Sequence, residues 1–239
     1  MFGSLTIIGD GVPVDISSRP LRGLMGAFAS RPGEVLSIAE LMDWLWPSKT
    51  PKNPVAALHT YVYRLRRLLG SHGSDLPQML LRQPGYVWEA DPSDIDTVDF
   101  RARAGCQEAA AACHEQVADL RSTLAIWRQS PLLDIPDSIP RNSEIASLED
   151  LRLHAMTRLF ELEMQQGRHQ EIVAEIRQAL ADFPYHEQFS YQLMVALRQS
   201  QRRYDALQVF DQTCHSLKSE LGIMPSARLR RLHDSILSE

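Results

Sequence analysis

Residues 53–70, NPVAALHTYVYRLRRLLG, constrain the fold more than any other stretch of the chain. At about 100° per residue, Val55, Leu58, Val62, Leu65 and Leu69 fall on one stripe of a helix. The opposite face carries Thr60, Tyr63, Arg64 and Arg67, with His59 and Arg66 at its flanks. Asn53 is a good N-cap, Pro54 suits the first helical position, and Gly70 is a natural stop. A helix that packs through one side and presents cations on the other has the form of a major-groove reader. In isolation the same pattern describes an ordinary solvated face, so its neighbours decide.

Those neighbours supply a consistent frame. Ser37 to Trp46, SIAELMDWLW, is a second amphipathic helix opened by a capping box of Ser37 and Glu40. Met79 to Glu89, MLLRQPGYVWE, predicts two short strands around Gln83-Pro84-Gly85. Ser4 to Ile8 and Val12 to Ile16 predict a strand pair turning at Gly9-Asp10-Gly11. Strands, three helices and a terminal hairpin, in that order, describe a winged helix-turn-helix with an N-terminal sheet. Trp44 and Trp46 stand two residues apart and cannot face the same way. One belongs to the core with Leu41 and Leu45, and the other lies beneath the loop Pro47 to Lys52.

The net charge of −5 conceals an asymmetry. Residues 1–93 hold 9 Lys/Arg against 8 Asp/Glu, while the remainder holds 16 against 22. Between Lys49 and Arg82 six basic residues face a single acid, Asp75. Phosphate attraction depends on the local field, so this window outweighs the total, and the acidic remainder is expected to face away from DNA. No apolar run approaches the roughly 20 residues that span a bilayer. The N-terminus lacks the charged region and cleavage site of a secretory signal. Cys106, Cys113 and Cys214 have no metal-ligand spacing and are expected as buried or half-buried thiols in a reducing cytoplasm. Cys106 and Cys113, seven apart, are expected to share one helix face.

A turn-rich tetrapeptide, Asp91-Pro92-Ser93-Asp94, divides the chain into residues 1–93 and 94–239. The second part is helical in character from Val98 to Arg128 and again from Ile145 onward. Between them, Ser130 to Ser143 carries three prolines and reads as an ordered loop or a linker. Shifting Leu159, Leu162, Gly167-Arg168, Ile172 and Ile176 by 34 residues lands on Leu193, Ala196, Gln201-Arg202, Ala206 and Phe210. A period of about 34 built from two antiparallel helices is the tetratricopeptide spacing. The second copy has Gln201 where a turn glycine is favoured. Gly222 predicts a left-handed helix stop, Pro225 prevents continuation, and Ser226 to Leu237 predicts a capped last helix that closes the stack. The fold class is therefore mainly α with small β-sheets: an N-terminal winged helix followed by an all-α, tetratricopeptide-like domain.

Taken together these residues resemble the Streptomyces antibiotic regulatory protein family, an OmpR-type winged helix joined to a bacterial transcriptional activator domain. In the first part the resemblance rests on Leu41…Trp44-Leu45-Trp46, Ala57-Leu58…Tyr61-Val62…Arg64-Leu65-Arg66-Arg67…Leu69-Gly70 and Gly85-Tyr86. In the second it rests on Asp99-Phe100, Leu124…Trp127-Arg128…Pro131-Leu132, Leu148-Glu149…Leu151-Arg152, Leu193-Met194…Ala196-Leu197, Glu220-Leu221-Gly222 and Leu232-His233…Ile236-Leu237. Pro47 stands where the family usually has a glycine, and only Gly85 precedes the wing tyrosine where two glycines are common. The resemblance is to a small member without the nucleotide-binding domain of larger relatives, and no G-x-x-x-x-G-K-[ST] occurs.

The resemblance implies an activator that binds direct repeats of promoter DNA near the −35 element, as two protomers, and recruits RNA polymerase through its sigma factor. A secondary-metabolite gene cluster is the implied target. Arg64 matches the family's base-reading arginine; Thr60 and Tyr63 lie beside it, and Arg66 and Arg67 suit phosphates. Lys52 belongs with these DNA contacts. Arg82 is expected at a minor groove or its phosphates, or else as a solvated strand-end residue. His59 stays open between a DNA contact and an idle surface residue. Ser48, Lys49 and Lys52 form the implied polymerase-contact loop. Pairs such as His154 with Glu161, or His186 with Glu187, lack zinc-site spacing, no nucleophile motif occurs, and neither an enzyme nor a cofactor is expected. The competing reading is a tetratricopeptide-type adaptor with the winged helix as scaffold. A ligand-gated repressor would need a pocket in the helical part.

Overall fold

A computed structural model describes residues 1–72, 76–105 and 113–238, so Cys106 and Asp75 lie outside the described residues. The chain divides into two compact units. The first comprises Met1–Gln107 with Ser122–Leu153, and the second Glu108–Arg121 with His154–Glu239.

The first unit begins with an antiparallel pair, β1 (Ile7–Gly9) and β2 (Val12–Val14). Asp10 and Gly11 both take positive φ, 49° and 76°, the geometry that an Asp-Gly hairpin turn requires. The strands are shorter than their sequence predicts because side chains take over beyond them. The Leu5 N–H donates to Asp134 at 2.8 Å, and the Ile16 carbonyl accepts from Arg22, which also pairs with Asp134.

Three helices follow: α1 (Arg19–Ser30), α2 (Ile38–Leu45) and α3 (Pro54–Gly70). Leu24, Met25, Phe28, Leu41, Trp44, Leu58, Val62 and Leu65 close over one another as the core. Each such side chain contributes roughly 1.5–3 kcal/mol by leaving water. The Ser37 capping box forms as expected: Ser37 N–H donates to Glu40, and Glu40 N–H donates to the Ser37 hydroxyl. Between α1 and α2 lies β3 (Val35–Ser37), too short to leave a sequence signal.

The wing is β4 (Met79–Arg82) and β5 (Gly85–Trp88), and β3 joins it to give the order β3-β5-β4. Gly85 is fixed by that third strand. A Cβ there would sit 1.8 Å from the Leu36 carbonyl oxygen, so no other residue fits this register.

One expectation for α3 needs correction. Val55 is 42% exposed, and the buried stripe begins one turn later at Leu58. Gly70 ends the helix where its sequence predicts, without entering the left-handed region. The Leu68 carbonyl already accepts from the Ser71 hydroxyl and lies 2.8 Å from the His72 ring nitrogen, so the helix end is satisfied without it.

The proline-rich segment is an ordered loop. Leu132 and Leu133 donate backbone N–H groups to Met1 and Gly3 carbonyls at 3.0 Å, and Leu132 and Ile135 are buried. Phe2, Phe100 and Trp127 meet edge to face or tilted at 4.6–5.4 Å nearby. After α4 (Asp96–Gly105) and α5 (Cys113–Ile126), α6 (Ile139–Gln165) starts six residues earlier than its sequence predicts. Pro140 sits in the first turn, where its missing N–H costs nothing, and the Ser138 hydroxyl accepts from Arg141 N–H at 3.3 Å.

The second unit contains the end of α6, then α7 (His169–Asp182), α8 (Glu187–Gln199) and α9 (Arg203–Ser216). The 34-residue period is visible atom by atom. Arg168 N–H donates to Glu163 carbonyl at 3.1 Å, and Arg202 N–H donates to Leu197 carbonyl at 2.9 Å. Gly167 and Gln201, at matching positions, take φ of 78° and 61°. Leu159, Leu162, Ile172 and Ile176 are buried, as are Leu193, Ala196 and Ala206. A π-helical turn, Leu217–Leu221, ends at Gly222 with φ 68°, and α10 (Ala227–Leu237) follows, capped by Ser226. Leu229, Leu232 and Ile236 of α10 pack onto α8 and α9, which closes the stack. Cys113 and Cys214 are half-buried free thiols. Among the described residues no helix is long and apolar enough to cross a membrane.

Candidate nucleic-acid interface

The outward face of α3 follows from the inward one. Because Leu58, Val62, Leu65 and Leu69 point into the core, Thr60, Tyr63, Arg64 and Arg67 must point out, and all four are exposed. Tyr63 is 63% exposed, so its ring is open to an incoming group. Among the described residues Arg64 and Arg67 have neither a hydrogen-bond nor an ion-pair partner. The Thr60 hydroxyl donates back to the Ala56 carbonyl at 2.9 Å, which leaves the threonine methyl as its outward group. The Asn53 side chain accepts from Ala56 N–H and starts the helix where its sequence predicts.

An open groove of about 720 Å³ runs along this face. Tyr63, Arg64 and Arg67 form one wall, and Asp15, Ser17 and Ser18, leading into α1, form the other. No local pattern reveals that a loop some 45 positions earlier lies beside the helix.

His59 and Arg66 are two turns apart and share a side of α3. Both are exposed residues that turn toward the wing tyrosine. The His59 Nδ1 lies 2.7 Å from the Tyr86 hydroxyl, with the rings edge to face at 5.9 Å. The Arg66 guanidinium stands over the Tyr86 ring at 5.4 Å and donates through Nε to the Met79 carbonyl at 2.8 Å. Arg66 therefore ties α3 to β4 in the free protein. Tyr86, quoted in the sequence only as part of a family motif, is 4% exposed and is the hub of this arrangement.

Arg82 at the wing tip pairs with Glu89 across the hairpin at 2.6 Å, with both side chains largely exposed. Such a pair is worth about 0–1 kcal/mol and exchanges readily. Ser48, Lys49 and Lys52 are exposed in the loop between α2 and α3. Trp44 is buried, while Trp46 is half-buried against Tyr61 at 6.2 Å, so the two tryptophans divide as their spacing requires. At the start of α2 the Ser37 backbone and then its hydroxyl hold the Glu40 carboxyl below its ordinary range.

Comparison with known proteins extends this geometry. Residues 94–237 match the family described as bacterial transcriptional activator domain, and residues 13–88 match transcriptional regulatory protein, C terminal. The chain is 32% identical to the regulatory protein DnrI of Streptomyces peucetius, over 99% of this chain and 90% of that protein. It is 31% identical to the transcriptional regulator RedD of Streptomyces coelicolor, over 94% of this chain and 65% of that one. A solved structure of Mycobacterium tuberculosis EmbR in complex with a low affinity phosphopeptide superposes with a TM-score of 0.85 at 27% identity. That match covers 99% of this chain but 64% of the EmbR chain.

Proposed function

The chain belongs to the Streptomyces antibiotic regulatory protein family of DNA-binding transcriptional activators, and from that premise we propose that α3 reads direct repeats in a promoter. In this reading residues 1–93 form the DNA-binding module and residues 94–239 the activator domain. Two protomers occupy adjacent repeats near the −35 element and hold RNA polymerase there. Ser48, Lys49 and Lys52 meet its sigma factor. The protein works in the cytoplasm, and its target is a secondary-metabolite gene cluster.

The observation that carries the proposal is the uncommitted outer face of α3. Arg64, mid-helix and without an internal partner, is placed to bond guanine O6 and N7, a contact worth about 1–3 kcal/mol of discrimination. The Thr60 methyl and the Tyr63 ring suit a thymine methyl beside it. Arg67 and Lys52 take phosphates, which set register without carrying sequence. Arg82 exchanges Glu89 for a phosphate at little cost, since the pair it leaves is exposed. Arg66 approaches the backbone while keeping its hold on the wing.

Capture of sheared genomic DNA by the purified chain tests this, with Arg64→Ala as comparison. The expected outcome is enrichment of a few promoters that share a direct repeat, lost in Arg64→Ala. Salt-sensitive but unselective capture, the same for both proteins, would overturn it and favour a protein-binding adaptor.

A further inference from the structure

The bond between His59 and Tyr86 assigns a role that the outward face of α3 does not by itself contain. We propose that Tyr86 is a specificity-positioning residue: its hydroxyl fixes the His59 ring so that the free ring nitrogen, Nε2, donates to a base-edge acceptor in the major groove. This inference rests on the reading of α3 as the recognition helix.

The two ring nitrogens of His59 are in different situations. Nδ1 lies 2.7 Å from the Tyr86 hydroxyl, and Nε2 has no partner among the described residues. Which nitrogen carries the proton is set by the bond the other one makes. A phenol gives up its proton to a hydrogen bond more readily than its ring-conjugated oxygen accepts one. The Tyr86 O–H therefore donates to Nδ1, and the neutral imidazole keeps its proton on Nε2. That nitrogen becomes a donor whose complement is guanine O6 or N7, adenine N7 or thymine O4.

The ring is held as well as polarised. Tyr86 cannot swing away, because it is 4% exposed, stands opposite Leu36 of β3 in the sheet, and lies beneath the Arg66 guanidinium at 5.4 Å. Arg66 is anchored in turn on the Met79 carbonyl. An exposed histidine on a helix normally samples several rotamers, and this one is pinned at one nitrogen by a buried group. His59 stands one turn before Tyr63 and five residues before Arg64, on the flank of the face that carries them. The base it meets is thus a neighbour of the one Arg64 reads, and the wing contributes to sequence choice without itself entering the groove.

Selection from a randomised duplex library, with the full chain, tests the proposal. The proteins compared are the unaltered chain, Arg64→Ala, Tyr86→Phe, His59→Ala and the double variant Tyr86→Phe with His59→Ala. Tyr86→Phe keeps the ring beneath Arg66 and removes only the hydroxyl. The unaltered chain is expected to select a motif that Arg64→Ala abolishes. Tyr86→Phe and His59→Ala are each expected to relax one and the same position, next to the one Arg64 sets, by about tenfold. The double variant relaxes it no further, and binding to unrelated DNA is unchanged in all three. A selected motif whose preferences survive Tyr86→Phe intact would overturn the proposal while leaving the recognition helix standing. Uniform weakening on every sequence would also overturn it, because that marks His59 as a phosphate contact. Absence of any motif for the unaltered chain would overturn both readings. Should Tyr86→Phe melt at a lower temperature, selection well below that temperature compares folded protein only, and the relaxed position still reports on the hydroxyl.

Discussion

Arg121 in the second unit and the α3 arginines Arg64 and Arg67 in the first serve opposite purposes. In the second, Arg121 on α5 donates to Glu163 at 2.7 Å and to Glu175 at 3.1 Å, and Arg168 approaches Glu163 at 3.2 Å. Glu163 is 1% exposed, so those cations hold a buried carboxylate and join α5, α6 and α7. In the first unit, Arg64 and Arg67 on α3 have no such partner among the described residues and border an open groove. Where pairing is complete the charge belongs to the architecture. Where it is missing next to a concave surface, the charge is available for something that arrives. Absence of a partner is not sufficient alone, since Arg230 and Arg231 on α10 are likewise exposed and unpaired among the described residues.

Substitutions sharpen this contrast, beginning with the strongest. Arg121→Ala strips Glu163 of its main partner and should lower the unfolding free energy by about 3 kcal/mol, read by denaturant titration. DNA affinity per folded molecule should not change. A variant that keeps its stability but loses DNA would break the division of roles. Arg67→Ala should do the reverse. Binding weakens by a similar factor on all sequences, the slope of log affinity against log salt falls by about one, and the melting temperature holds.

A smaller effect is expected from pH within the second unit. Burial, and then the charge of His154, push the His186 pKa below its ordinary 6.5, and its Nδ1 has no hydrogen-bond partner among the described residues. The folded state then binds fewer protons than the unfolded chain below pH 6.5, so stability falls as pH drops through that value toward the lowered one. His186→Phe should flatten this acid-side loss, and unfolding curves at successive pH values measure it. Smallest of all, Arg231→Ala should change neither stability nor affinity beyond about 0.5 kcal/mol. An effect on DNA binding as large as that of Arg67→Ala would show that α10 also meets the duplex.

What the sequence makes legible is whatever repeats at short range. The period of α3 reveals its buried side, the Ser37 and Asn53 caps reveal where α2 and α3 begin, and Asp10-Gly11 reveals a turn. The tetratricopeptide spacing emerges because two copies of one unit lie 34 residues apart. What stays hidden depends on distant partners. Nothing near Val35 announces that β3 will pair with β5, and nothing near His59 announces Tyr86. The start of α6 at Ile139 is masked by Pro140, which forbids a helix interior but suits a first turn. Val55 fits the apolar stripe by angle alone, yet burial requires a neighbour to cover it, and its turn has none.

Gln201 holds a left-handed backbone at the position where the preceding hairpin has Gly167, and the same pair of backbone hydrogen bonds closes both turns. The hairpin's shape is thus written in peptide groups, and the side chain at that position is tolerated at a cost of about 1 kcal/mol. Two hairpins alike in geometry then differ in how readily they open. A glycine at position 201 would tighten the second turn and a branched residue would loosen it, with every buried contact left in place.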